Sequence, residues 1–111
     1  MNTDEKYNLA MDISQKWGVD NKEDVISIAQ GIKEDRFLVE YDGTTVALFL
    51  TWKDNLIDGK RYIFVNNCWV EPEYRNYKTL LKAKTLLKYI LGDVYKFYWH
   101  NRKKNKMVYR R

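Results

Sequence analysis

Residues 62–91 read YIFVNNCWVEPEYRNYKTLLKAKTLLKYIL, and the period of the apolar side chains changes once within them. Tyr62 to Val70 is rich in β-branched and aromatic residues, the composition of a strand. Pro72 has no N–H to give a sheet ladder, so Glu71-Pro72 ends that strand. Leu80, Leu81, Ala83, Leu86, Leu87, Ile90 and Leu91 then recur at helical spacing, with Lys78, Lys82, Lys84 and Lys88 among and opposite them. Gly92 follows as a helix stop. A strand, a bend and an amphipathic helix are therefore predicted in one continuous unit.

Upstream, Thr3-Asp4-Glu5 reads as a helix start with Thr3 as cap, and Tyr7, Ala10, Met11 and Ser14 recur as a helical stripe closed by Gly18. Asp20 or Asn21 caps a second helix lined by Val25, Ile28, Ala29 and Ile32, which ends at Glu34-Asp35. The period then becomes two. Phe37, Val39 and Tyr41 alternate with Arg36, Leu38 and Glu40 up to Asp42-Gly43, a hairpin signal. Thr45 to Trp52 reads as a central strand, and Asp54 to Lys60 as the turn into Tyr62–Val70. Downstream, Val94–His100 and Met107–Arg110 read as two strands around a polar turn. The expected fold is α/β in the α+β sense, in the order ααβββαββ. A mostly antiparallel central sheet is flanked by helices, with a basic hairpin at the C-terminal end, all within one domain of 111 residues.

Composition narrows the function classes. No apolar run approaches the roughly 18 residues of a membrane span, and the first residues are polar and acidic, unlike a secretory leader. Cys68 and His100 are each the sole residue of their type, which leaves no ordinary Cys/His zinc site, and a cytoplasmic setting is expected. Charge is polarised. Residues 1–58 carry twelve carboxylates against six cations, a net −6, whereas residues 59–111 carry fourteen cations against three carboxylates, a net +11. One half should attract phosphorylated or polyanionic ligands, unless the halves neutralise each other across the fold.

The run Val70-Glu71-Pro72-Glu73-Tyr74-Arg75, followed closely by a long helix, resembles the signature of the GNAT acyltransferase superfamily: a strand ending in V-x-P-x-x-R, a phosphate-binding loop, then a helix. The resemblance spans about residues 5–100, and its specific part is Trp69 to Leu80. It implies a GNAT-like fold, acetyl-CoA as cofactor and transfer of an acetyl group to an amine. It further implies that the strand before the Pro splays from its neighbour, so that backbone at Asn67, Cys68, Trp69 and Val70 pairs with the pantetheine arm. The positions Arg75, Asn76, Tyr77, Lys78, Thr79 and Leu80 would present N–H groups to the pyrophosphate, where orphan amides and the helix dipole favour an anion.

The chain departs from that pattern. Lys78 and Leu80 stand where the family has small residues that admit phosphate to the backbone, although Lys78 can itself act as a cationic phosphate ligand. The family's first strand and last helix have no counterpart, which resembles compact GNAT-like proteins of bacteriophages and would place the protein in a host cytoplasm. Glu71, Tyr74 and Tyr98, with His100, are the acid–base candidates near the expected cleft. Cys68 reads as a small buried hydrophobe rather than a nucleophile. The tail VYKFYWHNRKKNKMVYRR supports a second reading. Arg102, Lys103, Lys104 and Lys106 interleaved with aromatic rings suit nucleic acid or an acidic protein partner, while a plain hairpin would pack Phe97 and Trp99 on one face and solvate the cations.

Overall fold

Each helix begins on an asparagine. In the computed structural model, which describes residues 1–101 and 106–110, α1 spans Thr3–Lys16, α2 Lys22–Lys33 and α3 Tyr77–Leu91. Asn2 Oδ1 accepts from Glu5 N at 2.8 Å while Glu5 Oε1 accepts from Asn2 N at 3.1 Å, a reciprocal capping box. The expected cap, Thr3, is instead the first helical residue, because Asn2 already supplies the oxygen. Asn21 caps α2, accepting from Glu23 N at 2.9 Å and Asp24 N at 3.2 Å. Asn76 caps α3, accepting from Thr79 N at 3.0 Å.

The stripe expected on α1 is corrected. Leu9 and Ile13 are buried, while Tyr7 and Met11 are 65% and 42% exposed. On α2 the inward face is Ile28, Gly31 and Ile32, and Val25 and Ala29 lie outside. Both helices offered two apolar stripes, and contact with the sheet selected one.

The sheet runs in the order β1-β2-β3-β4-β5, with β1 Phe37–Asp42, β2 Thr45–Ile57, β3 Lys60–Val70, β4 Lys96–Asn101 and β5 Lys106–Arg110. All neighbours are antiparallel except β3 and β4, which run parallel with α3 as their crossover. β2 continues past Trp52 to Ile57, so the second hairpin closes on Asp58-Gly59 alone, both at positive φ. The first hairpin turns on Gly43-Thr44, one residue later than expected.

Alternation along β2 divides the core in two. Leu48, Leu50 and Trp52 face α3 and pack with Ile63, Ala83, Leu87 and Phe97. Phe49 faces the other way and packs with Leu9, Ile13, Ile28 and Ile32. Helices therefore cover both faces of the sheet. Phe97 packs in the core as expected for a plain hairpin, and the side chain of Trp99 lies outside the described residues.

Candidate active site

The parallel ladder between β3 and β4 pairs Tyr62 with Lys96, Ile63 with Phe97, Phe64 with Tyr98 and Val65 with Trp99, and there it stops. Both strands continue, β3 to Val70 and β4 to Asn101. From residue 66 onward β3 is paired on its β2 side only, among the described residues, so the two strands part into a wedge.

The cause is visible on the β2 side. Thr51 pairs with Asn67 and Trp52 with Val65, which leaves Asn66 as an extra residue in β3. A one-residue bulge bends its strand and increases the local twist. The bend falls where pairing with β4 ends, so Asn66 and Asn67 stand at the apex of the wedge. A doublet of Asn inside a β-rich run is the signal that could have found them, since Asn is depleted in regular strands.

Around the apex the side chains are polar. Thr51 is fully buried, and its Oγ1 lies 2.7 Å from Asn66 Oδ1 and 2.8 Å from Asn67 Oδ1. Thr51 shares the α2 face of the sheet with Phe49, under Gly31. Farther along β3, Trp69 turns to that same face, its ring 6.1 Å from Trp17 and 6.5 Å from Phe49. It therefore belongs to the core and does not fill the wedge. Cys68 faces the α3 side, opposite Leu50. The residue is exposed, yet protein atoms crowd its sulfur and desolvation pushes the thiol up to about 11. An exposed thiol at its ordinary value and a desolvated one are both neutral at pH 7, so Cys68 is no thiolate nucleophile. The expectation that it is buried is corrected by its exposure.

Beyond Val70 the chain makes a single turn of 3-10 helix, Pro72–Tyr74, and enters α3. The bend is tied on several sides. Glu71 N donates to Ala47 O at 2.9 Å, and Glu71 pairs with Lys16 of α1 at 3.0 Å. Arg75 Nε donates back to Val70 O at 2.8 Å. Arg75 N and Asn76 N are held by Pro72 O and Tyr74 O, and Thr79 N by the Asn76 side chain. Tyr77 and Lys78 thus contribute the N–H groups ahead of the first intrahelical bond, with the Lys78 side chain exposed beside them. The side chains of Tyr77 and Leu80 lie outside the described residues.

Of the acid–base candidates, Glu71 and Tyr74 share the bend, where Tyr74 N donates to Glu71 O at 2.9 Å, and Tyr98 lies apart from them on β4. Glu71 is at the bend in its pair with Lys16. Tyr74 is half-buried in the 3-10 turn. Tyr98 stacks on Tyr62 at 5.7 Å, leaning toward the start of β3 and away from the apex. The side chains of His100 and Lys106, and all of Arg102, Lys103 and Lys104, lie outside the described residues. Among the described residues, no group of three or more His, Cys, Asp or Glu is placed to hold a metal ion, and no helix is long and apolar enough to cross a membrane.

No family model matches the chain, and no curated protein does. Solved structures do. A possible acetyltransferase from Clostridium difficile 630 superposes with a TM-score of 0.57 at 16% identity, covering 95% of this chain and 78% of that one. An acetyltransferase from Vibrio fischeri gives 0.49 at 15% identity, covering 97% and 96%. The first is alike enough to bear on the architecture. The fold is GNAT-like.

Proposed function

We propose that the chain binds acetyl-CoA in the wedge between β3 and β4 and transfers the acetyl group to an amine. One observation carries the reading. Two parallel strands abandon their ladder at Val65 and Trp99 while both continue, which leaves, among the described residues, the alternate backbone groups of Asn67 to Trp69 on the β4 edge without a strand partner, Val70 O being taken by Arg75 Nε. Unpaired backbone groups need a partner, and an extended chain with amide groups supplies one in the manner of an added strand. The residues present fit such a ligand, because Cys68 is small and neutral and the apex carries polar side chains. Tyr77, Lys78 and Thr79 at the start of α3, with Arg75 and Asn76 before them and Leu80 after, would hold the pyrophosphate.

When bound, acetyl-CoA supplies an acyl group activated as a thioester. The chain's part is to align that carbonyl with an incoming amine and to keep the amine unprotonated. Glu71 and Tyr74 at the bend, and Tyr98 along β4, are the groups assigned to proton traffic. Isothermal titration should give one acetyl-CoA site with micromolar affinity, and no heat at high-micromolar ligand would defeat the reading.

A second reading has its own support. Thr79 N is already capped by Asn76 and Arg75 is folded back on Val70 O, so part of the anion cradle is filled by the chain itself. A binding module without chemistry, of the accessory kind that phages encode, would use the basic half instead: Arg102, Lys103, Lys104 and Lys106 against nucleic acid or an acidic protein. Retarded DNA or RNA mobility that weakens with salt, together with silence toward acetyl-CoA, is the result that would favour it.

A further inference from the structure

The end of the sheet far from the bend has a face that neither apolar core covers. Ile63, Val65 and Phe97 pack toward α3, so alternation turns Lys60, Tyr62 and Phe64 of β3, and Lys96 and Tyr98 of β4, to the opposite side. Trp52 also packs toward α3, which sends Lys53, the partner of Phe64 across the ladder, to that same side. α1 and α2 lie on this side of the sheet, yet the half-buried Phe64 packs with neither apolar cluster. Every β2 residue from Lys53 to Ile57 is exposed.

Rings and cations gather on this face. Tyr62 stacks on Tyr98 at 5.7 Å and meets Tyr95 edge-on at 5.4 Å. Lys60 and Lys96 each set an ammonium over the Tyr95 ring, at 4.5 and 5.5 Å. Tyr95 is itself held by its N–H, which donates to Arg61 O at 2.8 Å. The strand carboxylate of this end, Asp54, lies on the α3 side in its pair with Arg61, whose guanidinium also bonds Leu91 O. None of the face residues named is acidic. Flat rings among cations suit a ligand that offers both π faces and regular negative charge, as unpaired bases on a phosphate backbone do. An acidic peptide would use the cations and leave the rings idle.

We propose that this face binds single-stranded nucleic acid, with bases laid against Phe64 and Tyr62 and phosphates met by Lys53 and Lys60. The assignment rests on the second reading above and extends its surface from the basic turn to the sheet beside it. Tyr95 and Tyr98 act as positioning residues that hold the Tyr62 ring.

Fluorescence anisotropy of a labelled oligothymidylate of about 15 nucleotides, followed over a salt series, tests it. The native chain should bind the single strand more tightly than the matched duplex. Phe64→Leu and Tyr62→Leu keep apolar bulk and lose the ring, so each should weaken binding about fivefold or more at unchanged salt slope. Lys53→Ala, at an exposed position that does not endanger the fold, should flatten the slope by about 0.7. Melting temperatures show whether each variant is folded. Equal binding of the duplex, or ring variants that bind as the native chain does, would overturn the sheet face while leaving the basic turn as a nucleic-acid surface. A salt slope unmoved by Lys53→Ala would do the same. Binding of polyglutamate with the same loss in the ring variants would give the face to an acidic protein instead. No anisotropy change at low salt would overturn both the face and the nucleic-acid form of the second reading.

Discussion

A Cβ placed on Gly31 would stand 2.7 Å from Thr51 Cγ2, 2.8 Å from Thr51 Cβ and 3.2 Å from Arg36 O. Two of these are parts of the fold that cannot swing aside, the β-branched side chain of a central strand and a backbone carbonyl. Gly31 is therefore required for close approach rather than for an unusual φ. Arg36 holds the same spot from the other side. Its N donates to Gly31 O at 2.7 Å, its carbonyl accepts from Trp52 N at 3.2 Å, and its guanidinium bonds Trp52 O and Glu34. Gly31→Ala should destabilise the fold by about 1–3 kcal/mol through overpacking, read as a lowered urea midpoint at unchanged slope. None of this was legible in the sequence. Gly31 sits inside a good helical pattern, and only the packing of α2 on β2 shows why alanine would not serve.

At the scale of elements, the hydrophobic period and the turn residues were enough to order two helices, a meander, a helix and a hairpin. They failed where tertiary contact chooses between equivalent local patterns. Leu9 and Ile13 are as well spaced as Tyr7 and Met11, and the sheet buries the first pair. The bulge was hidden for a related reason. It shows only as a mismatch between two paired strands, Thr51 to Asn67 beside Trp52 to Val65, although the Asn66-Asn67 doublet hinted at it. The start of α3 carries a prediction of its own. Asn76→Asp keeps an equally good cap for Thr79 N, so stability should stay within about 0.5 kcal/mol. It also sets a negative charge where a pyrophosphate would lie, and affinity for acetyl-CoA should fall by about tenfold or more, with the loss shrinking as salt rises. Equal affinity of the two proteins would place the phosphates elsewhere.

Across the whole molecule, the described strands form one sheet whose β3–β4 ladder ends early. α1 and α2 close one face over Phe49 and Trp69, α3 closes the other over Leu50 and Ile63, and the strands are paired from β1 to the first part of β4. The gap opens beside the N-terminus of the most basic helix, whose four lysines stand with no acid in residues 77–91. The charge division visible in the sequence is bridged among the described residues by the ion pairs Lys16–Glu71, Arg61–Asp54 and Lys82–Glu40. The strand–bend–helix unit that fixed the fold also forms one wall of this gap, and its loop caps α3 through Asn76. The central claim is that a ligand lies along β3 beyond Val65. Titrating 15N-labelled protein with acetyl-CoA tests it directly. The account predicts that amide shifts concentrate at Asn66 to Val70 and at Arg75 to Thr79, with α1 and the Asp58-Gly59 hairpin unmoved. Shifts confined to other elements, or none at high-micromolar acetyl-CoA, would contradict it.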